Sequence, residues 1–263
     1  MTSTDERHGG SALITGAAHG IGAAFAQRLA ASRKRLILVD RDEAALAAMP
    51  ELLKAAGPAE VELLPADLAR PADQDAVVRR IEQEADLDLL INNAGFNAPT
   101  WFHEQSHQIQ VDMLNVHVVS TVRFCRAAVP VMSKRGHGDI INVSALAAYL
   151  PGCGGIMYCS TKEFIRDFSV RLRAAYIRRG VTVQLLYPGY TRTGFHSTPL
   201  FEGQDTGRVP GWMWSSSDAV ARASLRALER GTFCCVPGVQ NQLIRFVLAC
   251  RLVPKWLIRR LLV

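Results

Sequence analysis

Short, largely apolar runs alternate along this chain with longer stretches in which apolar residues recur every three or four positions. SALITG (11–16), RLILVD (35–40), VELLPADL (61–68), LDLLINNAG (87–95), GDIINVSA (138–145), VTVQLLYPG (181–189) and TFCCVPG (232–238) have strand length. Runs such as RLILVD are apolar at successive positions rather than alternating, which marks strands buried on both faces. The segments 21–32, 41–57, 72–85, 113–134, 155–179 and 216–231 carry helical spacing, and Gly57, Gly180 and Gly231 close three of them. Such alternation predicts right-handed βαβ units: an α/β fold with a doubly wound parallel sheet and helices on both faces. No internal linker interrupts the pattern, so a single domain is expected over 10–239. Residues 1–9 read as a flexible N-terminus and 240–263 as a basic amphipathic helical tail.

Composition changes this picture little. The chain has 263 residues, 49% of them hydrophobic and 21% charged, ordinary values for a globular protein. The formal charge of +6 is concentrated near the C-terminus, because no acidic residue follows Glu229. No nucleic-acid module accompanies it, so a nucleic-acid partner is not expected. The six cysteines contain no C-x-x-C pair. They read as reduced thiols of a cytoplasmic protein, and no metal site is expected.

Two stretches suggest chemistry. TGAAHGIG (15–22) joins the first strand to the first helix. Gly16, Gly20 and Gly22 allow a sharp turn and close backbone approach, while the helix N-terminus after His19, at Gly20–Ile21–Gly22, offers N–H groups to a phosphate. Asp40 ends the second strand, where a carboxylate suits ribose hydroxyls and repels a 2′-phosphate; Arg41 beside it, helped by His19, has the opposite preference. NAD is expected, with NADP left open. Asp40 also reads as a helix N-cap. Asp67, with Leu68, leaves the third strand where a carboxylate could face an adenine. The second stretch is NVSALAAYLPGCGGIMYCSTK (142–162), in which Tyr158 and Lys162 share a helix face and Ser144 sits at a strand end.

T15-G-A-A-H-G-I-G22, N92-N-A-G95, Asn115 in MLNV, Y158-C-S-T-K162 and P188-G-Y-T-R-T193 occur in an order that resembles the short-chain dehydrogenase/reductase family. The segment from 210 onward is similar to one bacterial branch, the DltE-like oxidoreductases. The resemblance implies a Rossmann fold, a nicotinamide cofactor, and hydride transfer between an alcohol and a ketone or aldehyde. It implies that Tyr158 exchanges the substrate proton and that Lys162 lowers the pKa of Tyr158 and holds the nicotinamide ribose. Asn115 would anchor a water-mediated proton relay. Asn93, Ala94 and Gly95 would pack on the cofactor, Pro188 and Gly189 would flank the nicotinamide, and Thr191 and Thr193 would bind its carboxamide and the phosphates. A homodimer or homotetramer is also implied.

One position departs from the family pattern. The family's catalytic serine stands thirteen residues before the tyrosine, and here that position is Ala145; Ser144 is one residue too early. Successive side chains on a strand face opposite ways, so Ser144 serves the substrate only if a bulge turns it inward. Three readings stay open: Ser144 on a shifted backbone, Tyr158 and Lys162 with the gap filled otherwise, or a dinucleotide-binding sensor or scaffold, or non-redox catalyst. Residues 190–217 read as a substrate lid. Phe195, Leu200, Phe201, Trp212, Met213 and Trp214, with Phe96 and Trp101, predict a bulky hydrophobic small-molecule substrate. The arginine-bearing tail suits peripheral membrane contact as well as packing on the protein.

Overall fold

The computed structural model describes residues 9–149, 155–197 and 209–249. The strands are β1 (Ser11–Thr15), β2 (Arg35–Asp40), β3 (Glu60–Pro65), β4 (Leu87–Asn92), β5 (Gly138–Val143), β6 (Val181–Leu186), β7 (Thr191–Arg192), β8 (Ser215–Ser216) and β9 (Cys234–Cys235). The helices are α1 (Gly20–Leu29), α2 (Glu43–Lys54), α3 (Pro71–Gln83), α4 (His107–Leu114), α5 (Ser120–Arg135), α6 (Ile156–Tyr176), α7 (Ser217–Glu229) and α8 (Val239–Ala249). Seven strands form one sheet in the order β3-β2-β1-β4-β5-β6-β9, and each neighbouring pair is parallel. The chain reverses its direction of winding between β1 and β4, which opens a crevice at their C-terminal ends.

Period-two geometry sorts the apolar side chains into two layers. Ala12, Ile14, Leu36, Leu38, Leu89 and Ile91 pack against Phe25, Met49 and Val220 of α1, α2 and α7. Leu13, Ile37, Val39, Leu90, Ile140 and Val183 face the other way, toward Val77, Phe124 and Phe168 of α3, α5 and α6. The doubly wound sheet is therefore as the hydrophobic pattern predicts, while three details differ. TFCCVPG pairs only through Cys234 and Cys235. The helix expected over 113–134 begins at His107, where the Ser106 hydroxyl caps it by accepting from the Ile109 N–H, and a π-helical stretch at Asn115–Val119 interrupts it. The tail's helix begins at Val239, and its Asn241 is buried against the body.

Polar ties fix α6 to the sheet. The Asn92 amide donates to Asn142 Oδ1 at 2.8 Å, the Asn142 amide to Ser169 Oγ at 2.9 Å, and the Ser169 hydroxyl to the Ile165 carbonyl. Asn142 and Ser169 are fully buried, so leaving either group without a partner costs about 1–3 kcal/mol. Apolar contacts alone tolerate sliding; this ladder sets the register of α6 against β4 and β5. Among the described residues no helix is long and apolar enough to cross a membrane.

Asn142→Ala is expected to lower the unfolding free energy in urea by at least about 2 kcal/mol. The exposed control Leu52→Ala is expected to change it by less than about 0.5 kcal/mol.

Candidate active site

A cavity of about 710 Å³ opens at the C-terminal ends of the central strands, walled by the glycine loop, the β2 and β4 exits, the start of α6 and the inner face of α8. At its floor Gly16 adopts φ of 64°, a left-handed conformation that suits glycine. A methyl group on Gly22 would lie 1.9 Å from the Gly16 carbonyl oxygen, so only glycine lets α1 sit this close. The loop is bolted to β4. Thr15 Oγ1 accepts from the N–H groups of Asn93 and Ala94, each at 3.0 Å, and the Asn93 amide donates back to the carbonyls of Thr15 and Gly16. Within α1 the Ala23 N–H bonds back to His19, leaving the first-turn N–H groups of Gly20 and Ile21 at the cavity wall. Thr193 closes over this turn: a methyl on Gly20 would meet its Cγ2 at 2.8 Å.

The β2 exit forms an acidic rim. Asp40 accepts from the Ala18 N–H at 2.9 Å and the Asp42 N–H at 3.1 Å, which aims its carboxylate at the cavity. Asp42, rather than Asp40, is the N-cap of α2. The Ala45 N–H and then His19, whose Nε2 is 2.8 Å away, hold the Asp42 carboxyl below its usual range. Arg41, Asp67 and Leu68 line the same rim, and Asp67 is fixed there by accepting from the Ala69 N–H.

Tyr158 and Lys162 both line the cavity from the first turns of α6. Lys162 is 5% exposed, donates to the Val143 carbonyl at 3.0 Å, and lies 5.8 Å from the Tyr158 ring centre. Burial lowers its pKa to about 8. The Tyr158 phenol is pushed upward, also by burial. The expected lowering by Lys162 does not prevail here, because desolvation disfavours phenolate more than the ammonium at this distance favours it.

No bulge turns Ser144 inward. The Ser144 N–H bonds to the Leu186 carbonyl at 2.8 Å and the Leu146 N–H to the Pro188 carbonyl at 2.9 Å, so extended pairing with the β6 segment continues past Val143. The Ser144 hydroxyl is committed to the Lys162 carbonyl at 2.8 Å. Ala145 is buried, and both it and Ser144 line the cavity. Asn115 stands outside the cavity lining: its amide donates to the Ala69 carbonyl at 3.1 Å and its carbonyl accepts from Gln74 at 3.2 Å. Two residues along, His117 lies buried beside the tyrosine and lysine. Neither it nor Asp42, Asn241 and Ile244, which also line the cavity or back it, was marked by the sequence motifs.

The substrate side is apolar. Phe96, Leu146, Phe195, Val209, Met213 and Ile244 line it, with the Phe195 ring 6.1 Å from that of Tyr158. Trp101 and Trp212 are instead mostly exposed, at 74% and 66%. Trp214 packs on Tyr190 and donates to the Val209 carbonyl. Leu200 and Phe201 lie outside the described residues. Gly189 backs onto Asn241, and Pro188, Thr191 and Thr193 line the wall between the two halves of the cavity. Cys159, expected as a reduced thiol, is disulfide-bonded. Cys125 is free, and burial pushes its thiol up to about 12.

The model of the short chain dehydrogenase family matches residues 11–200. The 2,5-dichloro-2,5-cyclohexadiene-1,4-diol dehydrogenase LinX of Sphingobium indicum is 31% identical over 202 residues, covering 76% of this chain and 80% of that protein. A short-chain dehydrogenase from Sphingobium yanoikuyae, solved in complex with NADPH, superposes with a TM-score of 0.80 at 30% identity, covering 88% of each chain. The bulky-bulky ketone specific alcohol dehydrogenase of Comamonas testosteroni superposes with a TM-score of 0.77 at 25% identity, covering 90% of this chain and 91% of that one. The chain belongs to the short-chain dehydrogenase/reductase family and is an NAD(P)-dependent oxidoreductase. The close-packed glycine turn, the free first-turn N–H groups and the carboxylate rim fit a dinucleotide.

Gly22→Ala is expected to weaken NADH binding at least about tenfold, measured by the quenching of protein fluorescence, with the far-UV circular dichroism unchanged.

Proposed function

We propose that this enzyme reduces a bulky, apolar ketone to the alcohol and prefers NADH. The observation that carries the reading is Tyr158, a half-buried phenol that lines the cavity together with Lys162 beside the apolar Phe195. A protonated phenol is the form that donates to a carbonyl oxygen. Bound nicotinamide would supply the hydride. Gly16, Gly20, Ile21 and Gly22 would hold the pyrophosphate, and Asp40 and Asp67 the adenosine end. Asn93 to Gly95, Pro188, Gly189, Thr191 and Thr193 would flank the nicotinamide half. Two carboxylates on the rim, Asp40 and Asp42, face one cation, Arg41, which supports NAD over NADP.

Tyr158 gives its proton to the substrate oxygen as charge builds there. Lys162 holds positive charge beside it at neutral pH and holds the ribose. Ser144 steadies Lys162 through its backbone carbonyl rather than touching substrate, and Asn115 keeps the bend before α5. The substrate oxygen therefore lacks the hydroxyl donor that a serine at 145 would provide. Loss of one such donor is worth about 2.7–4 kcal/mol of transition-state stabilisation. The same Ala145 favours a second reading, a dinucleotide-dependent sensor or a non-redox reaction; the intact Tyr158–Lys162 pair supports redox turnover.

Two surfaces bear on partners. Val239, Leu243 and Phe246 are exposed on the outer face of α8, at 79%, 63% and 70%, and no acidic residue follows Glu229. This supports contact with an anionic membrane surface. Exposed Leu114, Val119, Phe164 and Val170 on the long helices support a homo-oligomer.

With NADH and a panel of diaryl and polycyclic ketones, Tyr158→Phe is expected to lower turnover by about 10²–10⁴-fold while leaving NADH binding intact. Ala145→Ser is expected to raise kcat by up to about 10²–10³-fold. Reduction by the wild type is expected to decline above pH about 8 as Lys162 loses its proton. Tight NADH binding with no turnover on any ketone or aldehyde would favour the sensor reading. In flotation with phosphatidylserine-containing liposomes, the wild type is expected to float and Leu243→Glu/Phe246→Glu to remain in the dense fraction.

A further inference from the structure

His117 lies on the π-helical stretch between α4 and α5 and is 1% exposed. Its own carbonyl is satisfied by the Thr121 hydroxyl at 2.7 Å, and the Val116 carbonyl by the Ser120 hydroxyl. Both hydroxyls take up carbonyls that the widened turn displaces, so the backbone beneath the imidazole is fixed. The ring reaches out in two directions. The Phe96 N–H, in the loop after β4, meets Nε2 at 3.0 Å. Nδ1 lies 2.8 Å from Thr161 Oγ1, and the Thr161 hydroxyl lies 2.8 Å from the Tyr158 carbonyl.

These contacts determine the tautomer. A backbone N–H can only donate, so Nε2 must carry the lone pair and Nδ1 the proton. Nδ1–H then donates to Thr161 Oγ1, whose own hydrogen is left for the Tyr158 carbonyl. The polarity runs one way, from Phe96 through His117 and Thr161 to the peptide of Tyr158. An imidazolium would set a second proton against the Phe96 N–H. It would also stand beside Lys162: a methyl on Gly95 would sit 3.0 Å from His117 Nε2 and 3.3 Å from Lys162 Nζ. Burial, with Lys162 as the next cause, holds the ring neutral well below the usual histidine range. Tyr158 and Lys162 are the titratable neighbours that face it, both from α6. The Phe96 and Tyr158 rings each approach the imidazole edge-on at 5.8 Å, closing it off from water.

We infer that His117 is a positioning residue, a neutral strut that couples the loop after β4 to the turn of α6 bearing Tyr158 and so sets where the phenol stands over the substrate. The inference rests on the oxidoreductase reading above. It assigns separate duties to the two ring nitrogens: Nε2 serves the loop after β4, whose Asn93–Gly95 stretch would flank the nicotinamide before Phe96 turns to the apolar end, and Nδ1 serves the tyrosine.

The test splits those duties, using NADH and whichever diaryl or polycyclic ketone of the panel gives turnover. Thr161→Val cuts the arm to Tyr158. His117→Gln keeps an acceptor near the Nε2 position and loses the Nδ1 donor. Both are expected to lower kcat about tenfold or more, with KM for NADH within about twofold. His117→Asn keeps a donor near the Nδ1 position and loses the acceptor for Phe96. It is expected to hold kcat within about threefold and raise KM for NADH about fivefold or more. A His117→Leu enzyme with wild-type kcat, or equal losses of kcat and KM in all variants, would overturn the proposal. Nitrogen-15 NMR of the histidine rings gives a readout free of turnover. The Nδ1-protonated pattern should persist from pH 8 to 5; an Nε2-protonated or titrating ring would sink the strut even if the enzyme reading holds. A chain that shows this pattern but reduces no ketone would instead count against the oxidoreductase reading. Because the folded chain refuses a proton that the unfolded one takes below pH about 6.5, the wild-type unfolding equilibrium constant should rise, and stability fall, by about tenfold per pH unit below that point through this group. His117→Gln should lack that share.

Discussion

The active site depends on one constraint: the pairing of β5 with β6 does not stop where the strand formally ends. With the Ser144 and Leu146 N–H groups still bonded to the Leu186 and Pro188 carbonyls, alternate residues keep alternate faces. That pairing sets the Ser144 hydroxyl against the Lys162 carbonyl of α6. It also places the Val143 carbonyl where Lys162 can reach it, so one stretch of backbone both occupies the Ser144 hydroxyl and anchors the Lys162 ammonium. The Asn92–Asn142–Ser169 ladder supplies the complementary restraint by holding α6 in place against the strands.

Much of this was legible in the sequence, for physical reasons. Strands buried on both faces must be apolar at successive positions, and helices that cover them must repeat every three or four residues, so the sheet and its covering helices could be read directly. The glycine loop was legible because a turn with no room for Cβ admits one residue type. The departure at Ala145 was equally plain, since it is a matter of counting along an extended chain. What the count could not show was whether a bulge corrected it; that answer lies in hydrogen bonds between segments forty residues apart in sequence.

The parts that escaped the sequence depend on irregular backbone or on distant elements. On a straight helix, residues 115 and 117 point in nearly opposite directions, so reading Asn115 toward the site leaves His117 facing away. The π-helical stretch at Asn115–Val119 changes that relation, and no propensity argument places such a stretch. Asp42 was hidden because its role as a helix cap and its place on the cofactor rim coincide. Trp101 and Trp212 differ in the other direction: large aromatic residues in these segments predict a lining, yet both are mostly exposed. Asn241 and Ile244 reach the cavity from α8, a segment that composition alone marked as a tail.

The last of these features bears on how such an enzyme diversifies. The family model matches residues 11–200, and that span carries the dinucleotide cradle, Tyr158 and Lys162. Val209, Met213, Asn241 and Ile244, which shape the far wall of the cavity, all lie beyond it. Part of the far wall is thus separate in sequence from Tyr158 and Lys162, while Phe96, Leu146 and Phe195, which line the same end of the cavity, lie within the matched span. Mutations after residue 200 can reshape that part of the wall while the glycine turn, Tyr158, Lys162 and the strand register that aligns them are inherited intact.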